Sequence, residues 1–196
     1  MYADDIKLYH RITSQSDAAA LQADIDRLSS WSLTWRLNPN PAKCHIITFS
    51  LRKSPIITAY TLDGAVLQRR TETRYLGVVL DTKLTFASHI DSTVAKANRM
   101  LGLVIRSMQL SKRHSRARFD HRAMLSAFCA HVRATIEYGS VVWGGAAVTH
   151  LKRLERVQHK FLLWLARNSD RPSDDLEYRA LLSHFSLPSI KSRFGQ

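Results

Sequence analysis

The chain has little cysteine and no long apolar run. Only Cys44 and Cys129 are present among 196 residues, too few for a disulfide framework and typical of a reducing, intracellular setting. The longest strongly apolar run, Phe161 to Ala166, is far shorter than the roughly 20 residues that a membrane-spanning helix needs. The acidic start also lacks the basic and apolar regions of a signal peptide. These absences exclude the secreted and membrane classes and predict a nuclear or cytoplasmic protein.

Low-complexity tracts and fixed-period repeats are absent as well, which excludes fibrous proteins and repeat arrays. Carboxylates are scarce, because 16 Asp and Glu stand against 29 Lys and Arg, and the formal net charge is +13. The sequence pI of about 10.3 exceeds the value of about 9 that marks many nucleic-acid-binding domains. With 45% hydrophobic residues, the chain can bury a core in one or two domains. This charge balance predicts a phosphate backbone as the partner.

The positive charge is concentrated in two stretches. The first is opposed only by Asp120 and contains Arg99, Arg106, Lys112, Arg113, Arg116, Arg118 and Arg122. The second, with Lys152, Arg153, Arg156 and Lys160, shares a predicted helix with an apolar stripe at Leu151, Leu154, Val157, Phe161 and Leu165. Solvated helix faces are the alternative interpretation. The size of the regional excess favours phosphate binding.

The secondary-structure pattern divides near residue 85 and predicts an α+β fold. Residues 1–85 contain a helix from about Asp17 to Trp35, started by Ser16 or Asp17, then strands near 44–49, 56–62 and 75–80 with a turn at Asp63-Gly64. Residues 86–196 are predicted to be mostly helical, at about 87–108, 115–135, 149–166 and 174–184, with a short extended break from Tyr138 to Trp143.

Two further patterns concern individual side chains. Each of the four tryptophans, Trp31, Trp35, Trp143 and Trp164, lies in an apolar neighbourhood, which predicts packing rather than base stacking. A zinc site at His121, Cys129 and His131 is an alternative use of those residues. The set lacks a Cys-x-x-Cys pair and a fourth ligand, so a buried cysteine with surface histidines is the favoured interpretation.

The most informative pattern is Asp4-Asp5 at the start of the chain. The flanking Tyr2-Ala3 and Ile6-Lys7-Leu8-Tyr9 predict two extended segments with the carboxylate pair at the tip of a β-hairpin. Paired carboxylates at an exposed tip suit Mg²⁺, which takes oxygen ligands together with substrate phosphates. The pair therefore indicates phosphoryl or nucleotidyl transfer, and an ordinary acidic turn is the alternative.

Further strings follow in a fixed order. They are Leu37-Asn38-Pro39 with Lys43-Cys44, then Tyr75-Leu76-Gly77-Val78-Val79-Leu80-Asp81, then Ile136-Glu137-Tyr138-Gly139-Ser140 with Trp143-Gly144, and last Leu151, Leu154-Glu155, Gln158 and Phe161-Leu162. Together with Tyr2-Ala3-Asp4-Asp5, this series resembles the C-terminal half of a reverse transcriptase from a non-LTR retrotransposon of the jockey or R1 type. The resemblance covers nearly the whole chain.

The resemblance implies a role for each matching residue. Asp4 and Asp5 match the catalytic, metal-binding carboxylates of a polymerase palm, and Mg²⁺ is the implied cofactor. Lys43 matches the lysine that protonates the departing pyrophosphate, although the segment from Asn38 to Lys43 is longer than the family's usual spacing. Tyr75-Leu76-Gly77 resembles the primer grip. Residues 1–85 would then be the end of the palm and 86–196 a thumb and connecting region, with an RNA template, a DNA primer or RNA–DNA duplex, and dNTP as partners.

The resemblance also implies parts that these residues do not supply. Two-metal nucleotidyl transfer needs carboxylates from neighbouring strands to clamp both ions. The family provides a further aspartate from an earlier strand, and nucleotide-binding fingers. We therefore expect a truncated polymerase with no independent activity, and the alternative is a non-catalytic nucleic-acid-binding remnant or recruited fragment. A nuclease would need more carboxylates near Asp4, and the nearest, Asp17, Asp24 and Asp26, lie on the predicted helix.

Overall fold

The computed structural model describes residues 6–37, 39–114, 120–168 and 177–194, without the side chains of Met108 and residues 110–114. Within these residues the fold is α+β, as predicted, with about 56% helix and three small two-stranded sheets. The chain divides into two compact units, the first within 1–73 and 81–84 and the second within 74–80 and 85–196.

Helix α1, Gln15–Thr34, is the main element of the first unit. A capping box starts it, because the Ser14 hydroxyl accepts a hydrogen bond from the Asp17 N–H and the Asp17 carboxylate accepts one from the Ser14 N–H. One face is buried at seven-residue intervals, at Ala18, Ile25 and Ser32. The predicted bounds are correct to within two residues, and the cap is Ser14 instead of Ser16 or Asp17.

Four short strands follow α1 and form two small sheets. They are β1 His45–Ile46, β2 Thr61–Leu62, β3 Ala65–Val66 and β4 Gln68–Arg69. β1 pairs in parallel with β4, while β2 and β3 form an antiparallel hairpin around the predicted Asp63-Gly64 turn. Both turn residues have positive φ, which a two-residue hairpin turn of this kind requires. The predicted strands 44–49 and 56–62 are too long, because only two residues of each pair with a neighbouring strand.

A side chain of α1 holds the β2–β3 hairpin in place. The Gln22 amide nitrogen donates to the Thr61 carbonyl at 2.9 Å, and its amide oxygen accepts from the Thr61 N–H at 3.0 Å. Tyr60 and Leu62 pack with the buried face of α1 in a small core. The first unit is therefore one helix covered by short strands.

A third hairpin, β5 Glu72–Tyr75 and β6 Val78–Asp81, has Leu76-Gly77 as its two-residue turn. Leu76 has φ +44° and Gly77 has φ +81°, so both lie in the left-handed region that a type I′ turn uses. The prediction of one strand over 75–80 is wrong at this point, since the chain reverses between Tyr75 and Val78.

The second unit is built from helices. They are α2 Ala87–His114, α3 His121–Ala127, a π-helical segment Phe128–Arg133, α4 Ala134–Glu137, α5 Ser140–Trp143, α6 Val148–Arg167, α7 Tyr178–His184 and α8 Ile190–Arg193. The two long helices, α2 and α6, pack against each other, and α2 also packs against the π-helical segment. The Phe128 and Phe161 rings stack with centroids 4.1 Å apart in the middle of this core. The apolar stripe predicted on α6 is buried along its length, so that prediction is confirmed.

The middle of this unit differs from the predictions. A helix is expected over 115–135, of which residues 115–119 lie outside the described residues. In the described part, α3 begins after Asp120, whose carboxylate caps the helix by accepting a hydrogen bond from the N–H of Arg122 at 2.8 Å. The extended break expected from Tyr138 to Trp143 is wrong in its second half. Gly139 adopts φ +66° at the end of α4, and this left-handed residue lets the chain turn directly into α5.

The tryptophans divide between core and surface. Trp143 is fully buried, and Trp164 is partly buried against the core, as predicted. Trp31 and Trp35 are 41% and 65% exposed, so the packing prediction is wrong for both. The buried face of α1 follows Ala18, Ile25 and Ser32, and neither tryptophan lies on that row.

Two absences hold for the part of the chain that the structure describes. No helix there is both long and apolar enough to cross a membrane. No group of three His, Cys, Asp or Glu side chains is placed to hold a metal ion, and the zinc alternative at His121, Cys129 and His131 therefore finds no support.

Candidate nucleic-acid interface

Of the three residues that match catalytic positions, the structure describes only Lys43. Asp4 and Asp5 lie outside the described residues. Lys43 is exposed on a turn in which its N–H donates to the Asn40 carbonyl at 3.0 Å. The assignment of Asp4, Asp5 and Lys43 to metal binding and proton transfer remains a prediction.

The Leu76-Gly77 turn is held by a residue 62 positions further along the chain. The Tyr138 hydroxyl donates to the Leu76 carbonyl at 2.9 Å. A Cβ on Gly77 would lie 2.9 Å from Cε1 of the Tyr138 ring, so only glycine lets the ring come this close. Together these contacts fix the turn of the Tyr75-Leu76-Gly77 string from the side of α4.

A second layer of contacts supports Tyr138 itself. The Trp143 indole N–H donates to the Tyr138 carbonyl at 2.9 Å. Gly139 lies against the buried Val78 of β6, where an added Cβ would meet Val78 Cγ2 at 2.8 Å. The Leu76-Gly77 turn, Tyr138-Gly139 and Trp143 therefore form one packed assembly, which we call the turn support.

His89 completes the turn support at the base of the hairpin. Its Nδ1 accepts from the Val79 N–H at 3.3 Å, and its ring lies 5.6 Å from the Trp143 ring, centroid to centroid. Burial lowers the pKa of His89, and the charge of Arg74 adds to this effect. The neutral ring is the form that can accept a hydrogen bond at Nδ1, so the hydrogen bond and the lowered pKa agree.

The positive charge of the second unit is carried mainly by α2 and α6. These two helices contain ten Lys and Arg residues and only two carboxylates, Asp91 and Glu155. Asp91 forms an ion pair with Arg153. Glu155 accepts from the Tyr178 hydroxyl and, at 2.9 Å, from the Lys191 N–H. Both carboxylates are therefore occupied by contacts within the protein and neutralise few of the remaining cations.

Glu137 serves the same structural purpose at the end of α4. It pairs with the buried Arg133 at 2.7 Å and with Arg193 of α8 at 3.1 Å. Burial favours its neutral form, yet hydrogen bonds from Arg193 and Arg133 outweigh burial and hold the pKa of Glu137 below its ordinary value. Burial and the Glu155 carboxylate raise the pKa of Tyr178 in the neighbouring contact. The acidic groups here fix α7 and α8 to the body of the unit.

Cations line a groove between α2 and α6, which we call the basic groove. One cavity of about 340 Å³ is bounded by Ile105 of α2 and by Arg156, His159, Lys160, Leu163, Trp164 and Arg167 of α6. A second of about 230 Å³ is bounded by Val94 and Asn98 of α2 and by Arg153, Arg156, Val157 and Lys160 of α6. The two cavities share Arg156 and Lys160. No carboxylate of the described residues lines either cavity.

The structure gathers only some of the predicted phosphate-binding residues into this groove. Arg153, Arg156 and Lys160 line it. Four others are exposed but lie outside its lining: Arg99, Arg106, Arg122 and Lys152. Lys112 and Arg113 fall in the last turn of α2, where only the backbone is described, and Arg116 and Arg118 lie outside the described residues.

Sequence reasoning missed Arg167 and Trp164 as groove residues. Arg156, Lys160 and Arg167 recur at intervals of four and seven along α6, the spacing of one helix face. This periodicity was present in the sequence and would have found Arg167. Trp164 was assigned to packing alone because its neighbours are apolar, and only the structure shows that the same side chain also lines a cavity.

Sequence comparison identifies relatives among the polymerases of Drosophila mobile elements. The chain is 31% identical over 186 residues to the RNA-directed DNA polymerase from mobile element jockey of Drosophila funebris. This alignment covers 88% of the chain and 19% of that protein. It is 30% identical over 165 residues to the probable RNA-directed DNA polymerase from transposon BS of Drosophila melanogaster, matching 81% of the chain and 17% of that protein. No protein-family profile and no solved structure matches the chain.

A third relative extends the same result. The chain is 27% identical over 175 residues to the probable RNA-directed DNA polymerase from transposon X-element of Drosophila melanogaster, matching 86% of the chain and 19% of that protein. The chain thus spans less than a fifth of the length of each of these relatives. Over most of its own length, its sequence places it with the RNA-directed DNA polymerases of jockey-like non-LTR retrotransposons, the family that its motifs predicted.

Proposed function

We propose that this chain is the part of a reverse transcriptase that holds the template–primer duplex next to the polymerising site. The observation that carries the proposal is the basic groove, whose described lining contains Arg156 and Lys160 in both cavities and no carboxylate. The two carboxylates of α2 and α6, Asp91 and Glu155, both have partners within the protein. Residues up to about 85 serve as the end of a palm, and the helical unit serves as the thumb and connecting region.

Binding through this surface rests on phosphate contacts. Arg156 and Lys160 line both cavities of the groove, and Lys152 is exposed on the same helix. Lys and Arg that neutralise phosphates release bound counterions, which gives affinity for any duplex without reading its sequence. A polymerase has to move along every template it copies, so contacts of this kind suit the thumb.

The hairpin turn at Leu76-Gly77 takes the role of the primer grip in this proposal. Leu76 is 47% exposed at its tip, while the turn support fixes the backbone behind it. A rigid tip positions a primer strand better than a mobile loop, because a misplacement of about 1 Å can reduce a reaction rate by about two orders of magnitude.

The chemistry itself belongs to Asp4, Asp5 and Lys43. The carboxylates of Asp4 and Asp5 would supply the oxygen ligands that Mg²⁺ prefers, and an ion held there would supply Lewis-acid activation for nucleotidyl transfer. Lys43 delivers a proton to the leaving pyrophosphate. These residues do not include the further carboxylate that two metal ions need. We therefore propose that the polypeptide of these 196 residues binds template–primer but does not polymerise by itself.

A non-catalytic nucleic-acid-binding protein is the second candidate, and it uses the same surface. Both candidates require the basic groove to bind an RNA–DNA duplex. The two candidates differ in whether Asp4, Asp5 and Lys43 still act within a longer polypeptide. Measuring primer extension by such a longer polypeptide distinguishes the two candidates.

The proposal is tested by measuring the binding of fluorescently labelled RNA–DNA hybrid duplexes of two unrelated sequences. We expect wild type to bind both duplexes with similar affinity, and the variant K152Q/R156Q/K160Q to bind both more weakly by the same factor. The control R11Q/R52Q/K53Q removes three exposed cations of the first unit and the same total charge. Equal weakening in the variant and the control would show that general charge, and not the groove, determines binding.

A further inference from the structure

Helix α8 is fixed to α6, the helix that carries most of the lining of the basic groove. Glu155 of α6 accepts a hydrogen bond from the Lys191 N–H at 2.9 Å. The amide nitrogen of Gln158, also on α6, donates to the Pro188 carbonyl at 3.1 Å, just before α8 begins. Ile190 is fully buried in the core of the unit. These contacts determine where α8 lies relative to α6.

The ring of Phe194, directly after α8, contacts the turn support. It meets the Trp143 indole edge-on, with ring centroids 4.9 Å apart and an angle of 75° between the ring planes. Aromatic pairs favour this arrangement, because the positive edge of one ring faces the negative face of the other. The Trp143 indole donates to the Tyr138 carbonyl, and the Tyr138 hydroxyl donates to the Leu76 carbonyl. Phe194 is therefore connected to the Leu76-Gly77 turn through two side chains.

Arg193 of α8 makes a second connection to the turn support, through Glu137. Its Nε donates to Glu137 Oε1 at 3.2 Å, and its Nη2 donates to Glu137 Oε2 at 3.1 Å. A bidentate contact of this kind fixes the orientation of the carboxylate as well as its distance. Glu137 ends α4 and directly precedes Tyr138. The segment that begins at α8 thus contacts the chain on both sides of Tyr138, at Glu137 and at Trp143.

From these contacts we infer that Arg193 and Phe194 are positioning residues that set the place of the Leu76-Gly77 turn relative to the basic groove. Phosphate contacts in the groove do not depend on sequence and let a duplex slide, so they do not place the end of a primer by themselves. A turn held at a fixed distance from α6 supplies that placement. The inference rests on the proposed function, because it states how the groove and the turn are kept in register on one duplex.

The variant Phe194→Leu tests the first connection. It keeps an apolar side chain and removes the ring that meets Trp143. Phe185→Leu is the matched control, because Phe185 is a core residue of the same unit and pairs with the His184 ring. Thermal unfolding of both variants measures the general loss of stability, so that an effect confined to the turn can be recognised.

The variant Arg193→Gln tests the second connection and removes the bidentate contact with Glu137. Lys191→Gln is its matched control, because it removes another exposed cation from α8 and keeps the backbone N–H that donates to Glu155. The side chain of Arg193 is more than half exposed, so Arg193→Gln still tests the inference if Phe194→Leu does not fold.

Two measurements separate positioning from simple stability. Amide hydrogen exchange at residues 76–79 reports on the turn, and the fluorescence of 2-aminopurine at the recessed 3′ end of a DNA primer on RNA reports on the primer end. Phe194→Leu should speed exchange at 76–79 by about 2- to 12-fold, the value of one edge-on aromatic pair. Arg193→Gln should act in the same direction but less, because its ion pair is partly exposed. Both variants should weaken the aminopurine response and bind the hybrid as tightly as wild type, since the groove cations are unchanged.

Wild-type exchange at 76–79 in folded Arg193→Gln and Phe194→Leu would overturn the inference, and so would exchange that is accelerated equally in the two controls. An unchanged aminopurine response in both variants would also overturn it. In each of these cases the proposed function stands if wild type binds the hybrid. A wild-type protein that binds the hybrid without any aminopurine response would instead refute the primer-grip role of the turn. Failure of wild type to bind the hybrid would refute the proposed function itself.

Discussion

The turn support makes a quantitative prediction about Tyr138 and Gly77. Tyr138→Phe removes the hydroxyl that donates to the Leu76 carbonyl at 2.9 Å and keeps the ring. Because both groups are accessible to water, the lost hydrogen bond should lower the free energy of unfolding of the second unit by about 0.5–1.5 kcal/mol. Gly77→Ala should lower it more, since a left-handed φ costs an alanine about 1–2 kcal/mol and the new methyl group also meets the Tyr138 ring.

These two substitutions should not be additive. An alanine Cβ at position 77 would lie 2.9 Å from Tyr138 Cε1, and the exposed ring has to move away to relieve this contact. Once the ring moves, the hydroxyl no longer reaches the Leu76 carbonyl. The double variant Gly77→Ala/Tyr138→Phe should therefore be less destabilised than the sum of the single variants, by roughly the free energy of one hydrogen bond, about 1 kcal/mol.

The assay is urea unfolding of each variant together with amide hydrogen exchange at residues 76–79. Gly64→Ala is the matched control, because Gly64 has a similar φ of +77° and open space around its Cα. It should show the cost of backbone strain, and exchange at 76–79 should remain as in wild type. Strict additivity of Gly77→Ala and Tyr138→Phe, with unchanged exchange at the turn, would refute the idea that Tyr138 holds it.

Three other predictions concern pH, packing and catalysis. The folded-state pKa of His89 is below its ordinary value of 6.5, so wild type should lose stability as pH falls below about 6.5. His89→Asn keeps an acceptor near Val79 but does not titrate, so its stability in urea unfolding should depend less on pH. Trp143→Ala should lower thermal stability strongly, by about 3–5 kcal/mol, while Trp35→Ala should change it by less than about 0.5 kcal/mol; equal effects would contradict the burial pattern. The 196-residue polypeptide should not extend a DNA primer on an RNA template with Mg²⁺ and dNTPs. In a longer polypeptide that does extend the primer, Asp4→Ala should abolish synthesis and Lys43→Ala should slow it by about 10²–10⁴-fold. Primer extension by the short polypeptide that disappears with Asp4→Ala would overturn the third prediction.

The long helices were predictable from local pattern, whereas the turn support was not. Apolar residues at helical spacing located α6 and its buried stripe because one helix face packs along the whole length of the element. The contact between Tyr138 and Leu76 joins positions 62 residues apart, and no local pattern contains that pairing. Gly139 illustrates the limit, since Val78, which leaves no room for a Cβ there, lies on a hairpin strand far away in the sequence.

The candidate interface was predicted in outline only. The sequence located the regional excess of Lys and Arg, but not which cations would share one groove, because that depends on how α2 and α6 pack. Arg153, Arg156 and Lys160 were identified correctly as neighbours on one helix. The apolar neighbours of Trp31 and Trp35 predict packing for both, but the buried face of α1 follows Ala18, Ile25 and Ser32 and leaves both tryptophans exposed.

The most direct test of the central claim is the salt dependence of RNA–DNA duplex binding. Each phosphate contact contributes about 0.7–0.9 to the slope of the logarithm of affinity against the logarithm of salt concentration. We predict that K152Q/R156Q/K160Q has a slope shallower than wild type by about 2 to 3, and that the control R11Q/R52Q/K53Q keeps the wild-type slope. Identical slopes for all three proteins, or an affinity that salt does not change, would contradict the assignment of the basic groove to phosphate binding.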